Sequence, residues 1–377
     1  MTVPLRILHV FRAPVGGLFR HVADLATEQG RQGHQVGIIC DATTGGAFEA
    51  TFLRKLADQL PLGLVRIPMQ RQVSIGDLAA IRKVMAHLGT LATDVVHGHG
   101  AKGGAYGRLM GTWLRRHHPV ARVYTPHGGS MHYDPASLAG RVYFAAERVL
   151  ERMTDAIIHV SQFEADTYRR KIHAPRCRIR VIPNGLRAEE FEPVTPRADA
   201  RDLLFLGAFR ELKGIDVLLA AIAKLKASTG MTVTANLVGQ PEGRDTYVAR
   251  AVELGIAGQV AFHDPMAARE ALATARVLAV PSRAESMPYV VLEAVAGRVP
   301  VVAGTVGGIP EIFGPGAPEL VPSDDADALA GRIKALLTDP ARAQRDAAGQ
   351  RERAKTRFSV EAMEAQTTAL YREILGR

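Results

Sequence analysis

Cysteine is scarce in this chain. Cys40 and Cys177 are the only two among 377 residues, and neither belongs to a C-x-x-C pair. A disulfide framework or a structural zinc site is therefore not expected, and a reducing compartment is the default. Long apolar runs are missing too: no stretch of about 18 uncharged apolar residues occurs, so no segment is expected to span a bilayer. The start, Met1 to Arg12, enters a strand-like segment with no apolar signal core and no small-residue cleavage site, which reads as a cytoplasmic protein. Disorder is excluded by composition, since 47% of residues are apolar and 23% charged. No tandem repeat at a period of roughly 20–50 residues is visible, which removes the solenoid classes. At roughly 150 residues per domain, this length implies two to three domains.

Acidic residues are also short, 38 against 47 Lys and Arg, and 38 of those 47 cations are Arg. The deficit is local. Residues 1–190 hold 25 cations against 15 anions, a net of +10, whereas residues 191–377 hold 22 against 23, a net of −1. A basic half serves solubility, or it meets an anionic partner such as a membrane surface or a lipid-linked phosphate. The clusters Arg115-Arg116-His117-His118 and Arg169-Arg170-Lys171 fit lipid headgroups. Neither is interleaved with stacking aromatics, so nucleic acid is not an expected partner.

Short β-branched runs alternate with longer helix-period segments, the pattern of parallel sheets with crossover helices. Strands are expected at 6–11, 35–40, 64–68, 94–97, 122–125, 156–160 and 178–182. A Pro-punctuated stretch, Phe191 to Pro196, then suits a linker. The pattern restarts with strands at 203–206, 232–238, 259–262, 277–280 and 301–303, and ends in an amphipathic helix over 359–375. The expected fold class is α/β, with two Rossmann-like doubly wound domains facing a central cleft. The expected domains are 1–190, 191–356, and a terminal helix within 357–377 that packs back on the first. Open α/β sheets bind ligands beyond the carboxyl ends of their strands, so a site between the domains follows.

Gly16-Gly17 lies between the first strand and the first helix, where glycine lets backbone approach a ligand and the helix amino terminus favours anions. A tight turn is the plainer reading. Gly98-His99-Gly100-Ala101-Lys102-Gly103 matches G-x-G-x-x-G, but it follows the fourth strand rather than the first. The next strand ends in Thr125-Pro126-His127 with no acid to hold a ribose, so a nicotinamide site is disfavoured. His97 and His99 alternate onto one face. With no nearby carboxylate or thiolate, packing or hydrogen bonding is a better reading than a metal pair. His127 faces the expected cleft.

The segment Val280 to Ala294 is the most specific. Glu285 stands before a helix and Glu293 inside it, with seven residues between them. Pro288 suits the first helical turn, and Ser286 is placed to cap it. Free amides there would meet an anion, and Glu293 could accept hydrogen bonds from vicinal hydroxyls such as those of a ribose. An acid near a helix start is also what the helix dipole favours. Arg210 and Lys213, between a strand and a helix, add phosphate charge at the same sheet edge. Asp325-Ala326-Asp327, the only D-x-D, heads a late helix and reads as its cap.

In this E-x7-E spacing the chain resembles the retaining, nucleotide-sugar-dependent glycosyltransferases of the two-Rossmann-domain type, GT-B, and most closely glycosyltransferase family 4. Gly33-His34, Asp94 to His97, His127-Gly128, Pro183-Asn184-Gly185, Lys213-Gly214, Gly297 with Pro300, and Gly307 to Glu311 carry the same resemblance over nearly the whole chain. It implies that Glu293 holds the donor ribose and that Glu285, with the backbone that follows through Ser286, Met287, Pro288 and Tyr289, holds sugar and diphosphate. It implies further that Arg210 and Lys213 neutralise the leaving diphosphate, that His127 lies near the transferred sugar, and that Gly16, Gly17 and Gly239 back the donor. One departure is Ala208, where many members carry Arg, and Arg210 is the candidate to take its place. The implied donor is a UDP or GDP sugar, with no metal and no other cofactor. The acceptor is a saccharide or lipid-linked saccharide at an inner membrane face, as in cell-surface polysaccharide or glycolipid synthesis. A nucleotide-sugar epimerase on the same fold, an NAD-dependent oxidoreductase and a non-catalytic sensor are the rival readings.

Overall fold

The computed structural model describes residues 3–70 and 92–377. The chain divides into two α/β units, residues 1–185 with 360–377 and residues 186–359. The divisions fall a few residues from the expected 190/191 and 356/357.

In the first unit, β1 (Arg6–Phe11), β2 (Gln35–Asp41), β3 (Leu64–Ile67), β4 (Val95–His99), β5 (Ala121–Thr125), β6 (Ala156–His159) and β7 (Arg178–Val181) form one sheet. Its order is β3-β2-β1-β4-β5-β6-β7, and every pairing is parallel. β4 and β5 are buried along their whole length, as strands covered on both faces must be. Alternate residues of β1, with Leu5 just before it, serve two cores. Leu5 and Ile7 join Val360, Met363, Leu370 and Tyr371 of the terminal helix Val360–Leu375, while Leu8 and Val10 join Tyr106 and Met110 of the helix Gly100–Leu114. That second helix lies unusually close to the sheet. A Cβ at Gly103 would come within 2.5 Å of Phe11 Cα, and one at Gly104 within 2.2 Å of the Tyr124 ring. Gly103, the last glycine of the G-x-G-x-x-G pattern, and Gly104 after it therefore let helix and strands approach.

The second unit repeats the plan. β8 (Arg201–Leu206), β9 (Ala235–Val238), β10 (Val260–His263), β11 (Ala275–Val280), β12 (Val301–Gly304) and β13 (Leu320–Val321) run parallel in the order β10-β9-β8-β11-β12-β13. Its core includes Leu203, Phe205, Leu218, Ile222, Leu237 and Ile333. The Phe191–Pro196 stretch belongs to this unit. Phe191 is buried, and the Val194 amide donates to the Gly297 carbonyl at 2.8 Å. In each sheet the strand order reverses once, between β1 and β4 and between β8 and β11. Loops on the two sides of such a reversal diverge and leave a crevice beyond the strand ends.

Candidate active site

At the reversal of the second sheet, the loop after β8 carries Ala208 to Arg210, a short turn over Glu211–Lys213, and then the helix Ile215–Thr229. The loop after β11 carries Pro281 to Pro288 and leads into the helix Tyr289–Ala296. These loops are pressed together. Gly214, in the left-handed region at φ 65°, leaves no room for a side chain, since a Cβ would fall 1.9 Å from the Pro281 carbonyl oxygen. Arg283 staples them further. Its amide donates to the Leu212 carbonyl at 2.9 Å, and its guanidinium donates to Asp216 at 2.7 Å and Asp324 at 2.6 Å. Partial burial pushes the Asp216 carboxyl up, but the Arg283 hydrogen bonds and charge outweigh it and hold it below the usual range.

A further ion pair forms at the loop junction. Lys213 Nζ donates to Glu285 Oε1 at 2.6 Å, and the same oxygen accepts from Ser282 Oγ at 2.8 Å. The Glu285 side chain is 10% exposed and that of Lys213 31%, so the cation is the accessible partner. A third loop closes on the acid, because a Cβ at Gly307 would fall 1.7 Å from the Glu285 carbonyl oxygen, and the Gly308 amide donates to Ser286 O at 2.9 Å. Gly239 is equally tight against the Gly207 carbonyl, at 2.1 Å from an added Cβ. Arg210 is exposed at the start of the turn that carries Lys213.

Two details differ from the sequence reading. Pro288 is itself the amino-terminal cap, with ψ 123°, and the helix starts at Tyr289. Ser286 makes no side-chain cap, because the extended Pro288 turns the chain before Ser286 can reach the first-turn amides. Met287 and Tyr289 are buried, so what they offer a ligand is backbone. Glu293 is half-buried in the middle of that helix. Ser282 and Arg283 were missed as site residues, although both stand in the Val280 to Ala294 segment. Asp325 does cap its helix, accepting from the amides of Asp327 and Ala328 at 3.0 and 2.9 Å.

In the first unit, Gly16 and Gly17 are exposed at the end of β1, where the helix Gly16–Arg31 begins with no acid in its first turn. A Cβ at Gly16 would have open space around it. Past β5, His127 adopts φ 51°, and the next residue is pinned, the Gly128 amide donating to Glu164 Oε1 at 2.5 Å. Glu164 is buried and also accepts from the Val160 amide at 3.1 Å. Its signal in sequence was the capping spacing from Ser161, whose Oγ accepts from the Glu164 amide.

His97 and His99 do share a face, and the parallel register sets His9 beside His97. His9, His21 and His127 complete a group of five imidazoles. His97 bonds Tyr371 OH at 2.6 Å and Thr125 Oγ1 at 2.8 Å, and His21 Nδ1 bonds Asn184 Oδ1 at 3.0 Å. Burial lowers the pKa of His9 and His21 to about 4, against the bonds to Gln29 and Asn184 that favour the charged forms. Burial, reinforced by neighbouring histidines, lowers His97, His99 and His127 well below the ordinary range. All five are neutral at pH 7. Two triads, His9/His97/His99 and His21/His99/His127, bring one ring nitrogen each within 4.8 Å, a spacing that a divalent cation could use.

Comparison with known proteins decides the family. A profile of Glycosyltransferase Family 4 matches residues 15–190, and one of Glycosyl transferases group 1 matches residues 200–339. A D-inositol 3-phosphate glycosyltransferase of Nocardioides sp. is 30% identical, over 95% of this chain and 85% of that protein. The chain belongs to the family 4, group 1 glycosyltransferases. A glycogen synthase of Mycobacterium tuberculosis is 27% identical over 95% of this glycosyltransferase and 91% of its own length. Anabaena Alr3699/HepE in complex with UDP-glucose shares the fold, with TM-score 0.78 and 20% identity over 97% of this chain and 99% of that one.

The basic clusters of this glycosyltransferase are partly committed within its own first unit. Arg115 pairs with Asp155 at 2.9 Å, Arg169 with Asp166 at 3.2 Å, and Lys171 Nζ donates to the Met131 and Tyr133 carbonyls. No described helix is long and apolar enough to cross a membrane.

Proposed function

We propose that this enzyme is a retaining transferase that moves a sugar from a UDP or GDP sugar to a saccharide or lipid-linked saccharide, with no metal. The observation that carries this reading is the Lys213–Glu285 pair, placed where two strand-end loops and a helix amino terminus converge. Lys213, with Arg210 beside it, meets the diphosphate, and fixed positive charge at the departing group is the dominant source of rate. Glu285 orients Lys213 and faces the sugar, and Glu293 receives the ribose hydroxyls. Support comes from HepE, a protein of the same fold that holds UDP-glucose.

In the reaction, the bond from the anomeric carbon to the diphosphate oxygen breaks, and the acceptor hydroxyl oxygen bonds that carbon on the same face. The hydroxyl proton passes to a phosphate oxygen of the leaving group. No carboxylate is assigned as a covalent nucleophile, so a trapped glycosyl-enzyme adduct would overturn this route. Incubation with UDP and GDP sugars and candidate acceptors, with product anomers read by NMR, tests the assignment: an inverted product, or turnover without acceptor to an epimer, defeats it.

We further propose that the first unit works against an anionic membrane surface on the cytoplasmic side, in glycolipid or surface-polysaccharide synthesis. The helix Leu138–Glu151 exposes Leu138 at 78%, Val142 at 60% and Val149 at 53% along one stripe. Arg141, Arg148 and Arg152 follow the same helical spacing beside it. Binding to vesicles should require anionic lipid and weaken with salt, and indifference to both would refute the surface.

A further inference from the structure

The five histidines contain one continuous chain of hydrogen bonds. Gln29 Oε1 lies 2.8 Å from His9 Nε2, His9 Nδ1 lies 3.0 Å from His99 Nε2, and His99 Nδ1 lies 3.1 Å from His127 Nε2. Gln29, His9 and His99 are each fully enclosed, whereas His127 is half-buried at the end of the chain. Each link between two neutral imidazoles needs one N–H and one lone pair. A neutral imidazole has one of each, so a single choice at the buried end sets every ring that follows. With the Gln29 carbonyl accepting, His9 carries its proton on Nε2 and offers its Nδ1 lone pair. His99 then donates from Nε2, and His127 donates from Nε2. The nitrogen left over is His127 Nδ1, with its lone pair outward.

We propose that Gln29, His9 and His99 are positioning residues that lock neutral His127 in the Nε2–H form, so that its Nδ1 serves as a hydrogen-bond acceptor for a hydroxyl of the transferred sugar. The inference rests on the proposed function for the placing of His127 beside the sugar. It adds the sign of that contact: the ligand must bring the proton. The low pKa values of these rings agree, since a chain of imidazolium ions would have no acceptors at all. A metal in either triad would have to break the chain, because His9 and His99 already commit both ring nitrogens. The left-handed backbone at His127 and the Glu164 clamp on Gly128 fix where the ring leaves the main chain, and the His99 bond fixes its rotation.

Nitrogen-15 histidine NMR of the full chain reads the tautomer directly, with His127→Gln used to assign the signal. The wild-type resonance is expected in the Nε2–H pattern at neutral pH, and an Nδ1–H pattern or an even mixture overturns the proposal. Gln29→Leu removes the anchoring carbonyl and should release His127 into a mixture of tautomers. Gln29→Glu, which can only accept when ionised, should keep the Nε2–H form. A Gln29→Leu protein with an unchanged His127 spectrum also overturns it. In turnover assays Gln29→Leu should lower kcat by roughly 10- to 100-fold, as found for partners that orient metal-binding histidines, with the donor KM within about twofold. Unaltered kcat counts against the proposal. Should the wild type transfer no sugar at all, the proposed function fails, while the tautomer measurement still decides the chain.

Discussion

Lys213 and Glu285 are bound to each other by a single 2.6 Å hydrogen bond, yet their truncations should differ. Lys213→Ala removes the charge that meets the diphosphate and should cut kcat by about 2.7–4 kcal/mol of barrier, or roughly 10²–10³-fold. Glu285→Gln keeps an acceptor for Ser282 Oγ but loses the charge that orients Lys213, and its loss should be smaller. Steady-state assays on both variants check the order, and equal or negligible losses would contradict it. Arg108 offers a purely structural counterpart. Its guanidinium is fully buried, 2.9 Å from Glu147 and 4.0 Å over the Tyr124 ring. Glu147→Ala strands that charge and should destabilise the protein by about 3–5 kcal/mol in urea unfolding. Glu285 and Lys213 were legible in sequence because each stands in a loop with a motif of its own. His9 and His21 were not, since their partners His99 and Asn184 lie 90 and 163 residues away.

Among the elements, β1 to β12 were readable from alternating apolar runs bounded by turn residues. β13 escaped because two residues cannot express a period. The glycine pattern around the end of β4 invites the opposite error, although its place after the fourth strand already disfavours a nicotinamide site. Its spacing imitates a phosphate-binding turn, but its physical role is distance, since the helix Gly100–Leu114 sits almost on the backbone of β1 and the ring of Tyr124. Gly103→Ala, whose Cβ would meet the β1 backbone at Phe11, should therefore cost about 1–3 kcal/mol by overpacking, with donor KM unchanged. Chemical denaturation beside a donor titration separates the two effects, and a stable variant with a damaged donor site would restore the phosphate reading. The capping of Tyr289–Ala296 was misjudged for a local reason: the sequence offers Ser286 and Pro288, and only the backbone angle of Pro288 decides where the helix begins.

For the whole molecule, the buried imidazoles predict an acid limb of stability. His9 and His21 titrate near 6.5 when unfolded and near 4 when folded, because burial disfavours their charged forms. Between those values the unfolded chain binds more protons, so stability is full above about pH 6.5 and falls as pH drops toward 4. Each tenfold loss of proton affinity on folding corresponds to about 1.4 kcal/mol. The urea midpoint should fall between about pH 7.5 and pH 5, and His21→Phe should flatten that slope. Added donor nucleotide should act oppositely, raising stability by about 2.7 kcal/mol at 100 times its dissociation constant, as read by melting.

The terminal helix Val360–Leu375 has a consequence for biosynthesis. It shares a core with Leu5 and Ile7, so a ribosome emits the opening strand of the first unit hundreds of residues before the segment that covers it. Residues 186–359 emerge uninterrupted between the two and can finish their sheet while the flanking portions are still waiting for one another. Expressed alone, that middle piece should give a cooperative melt and retain nucleotide, whereas a chain stopped before Val360 should leave its amino-terminal sheet unsealed and aggregate.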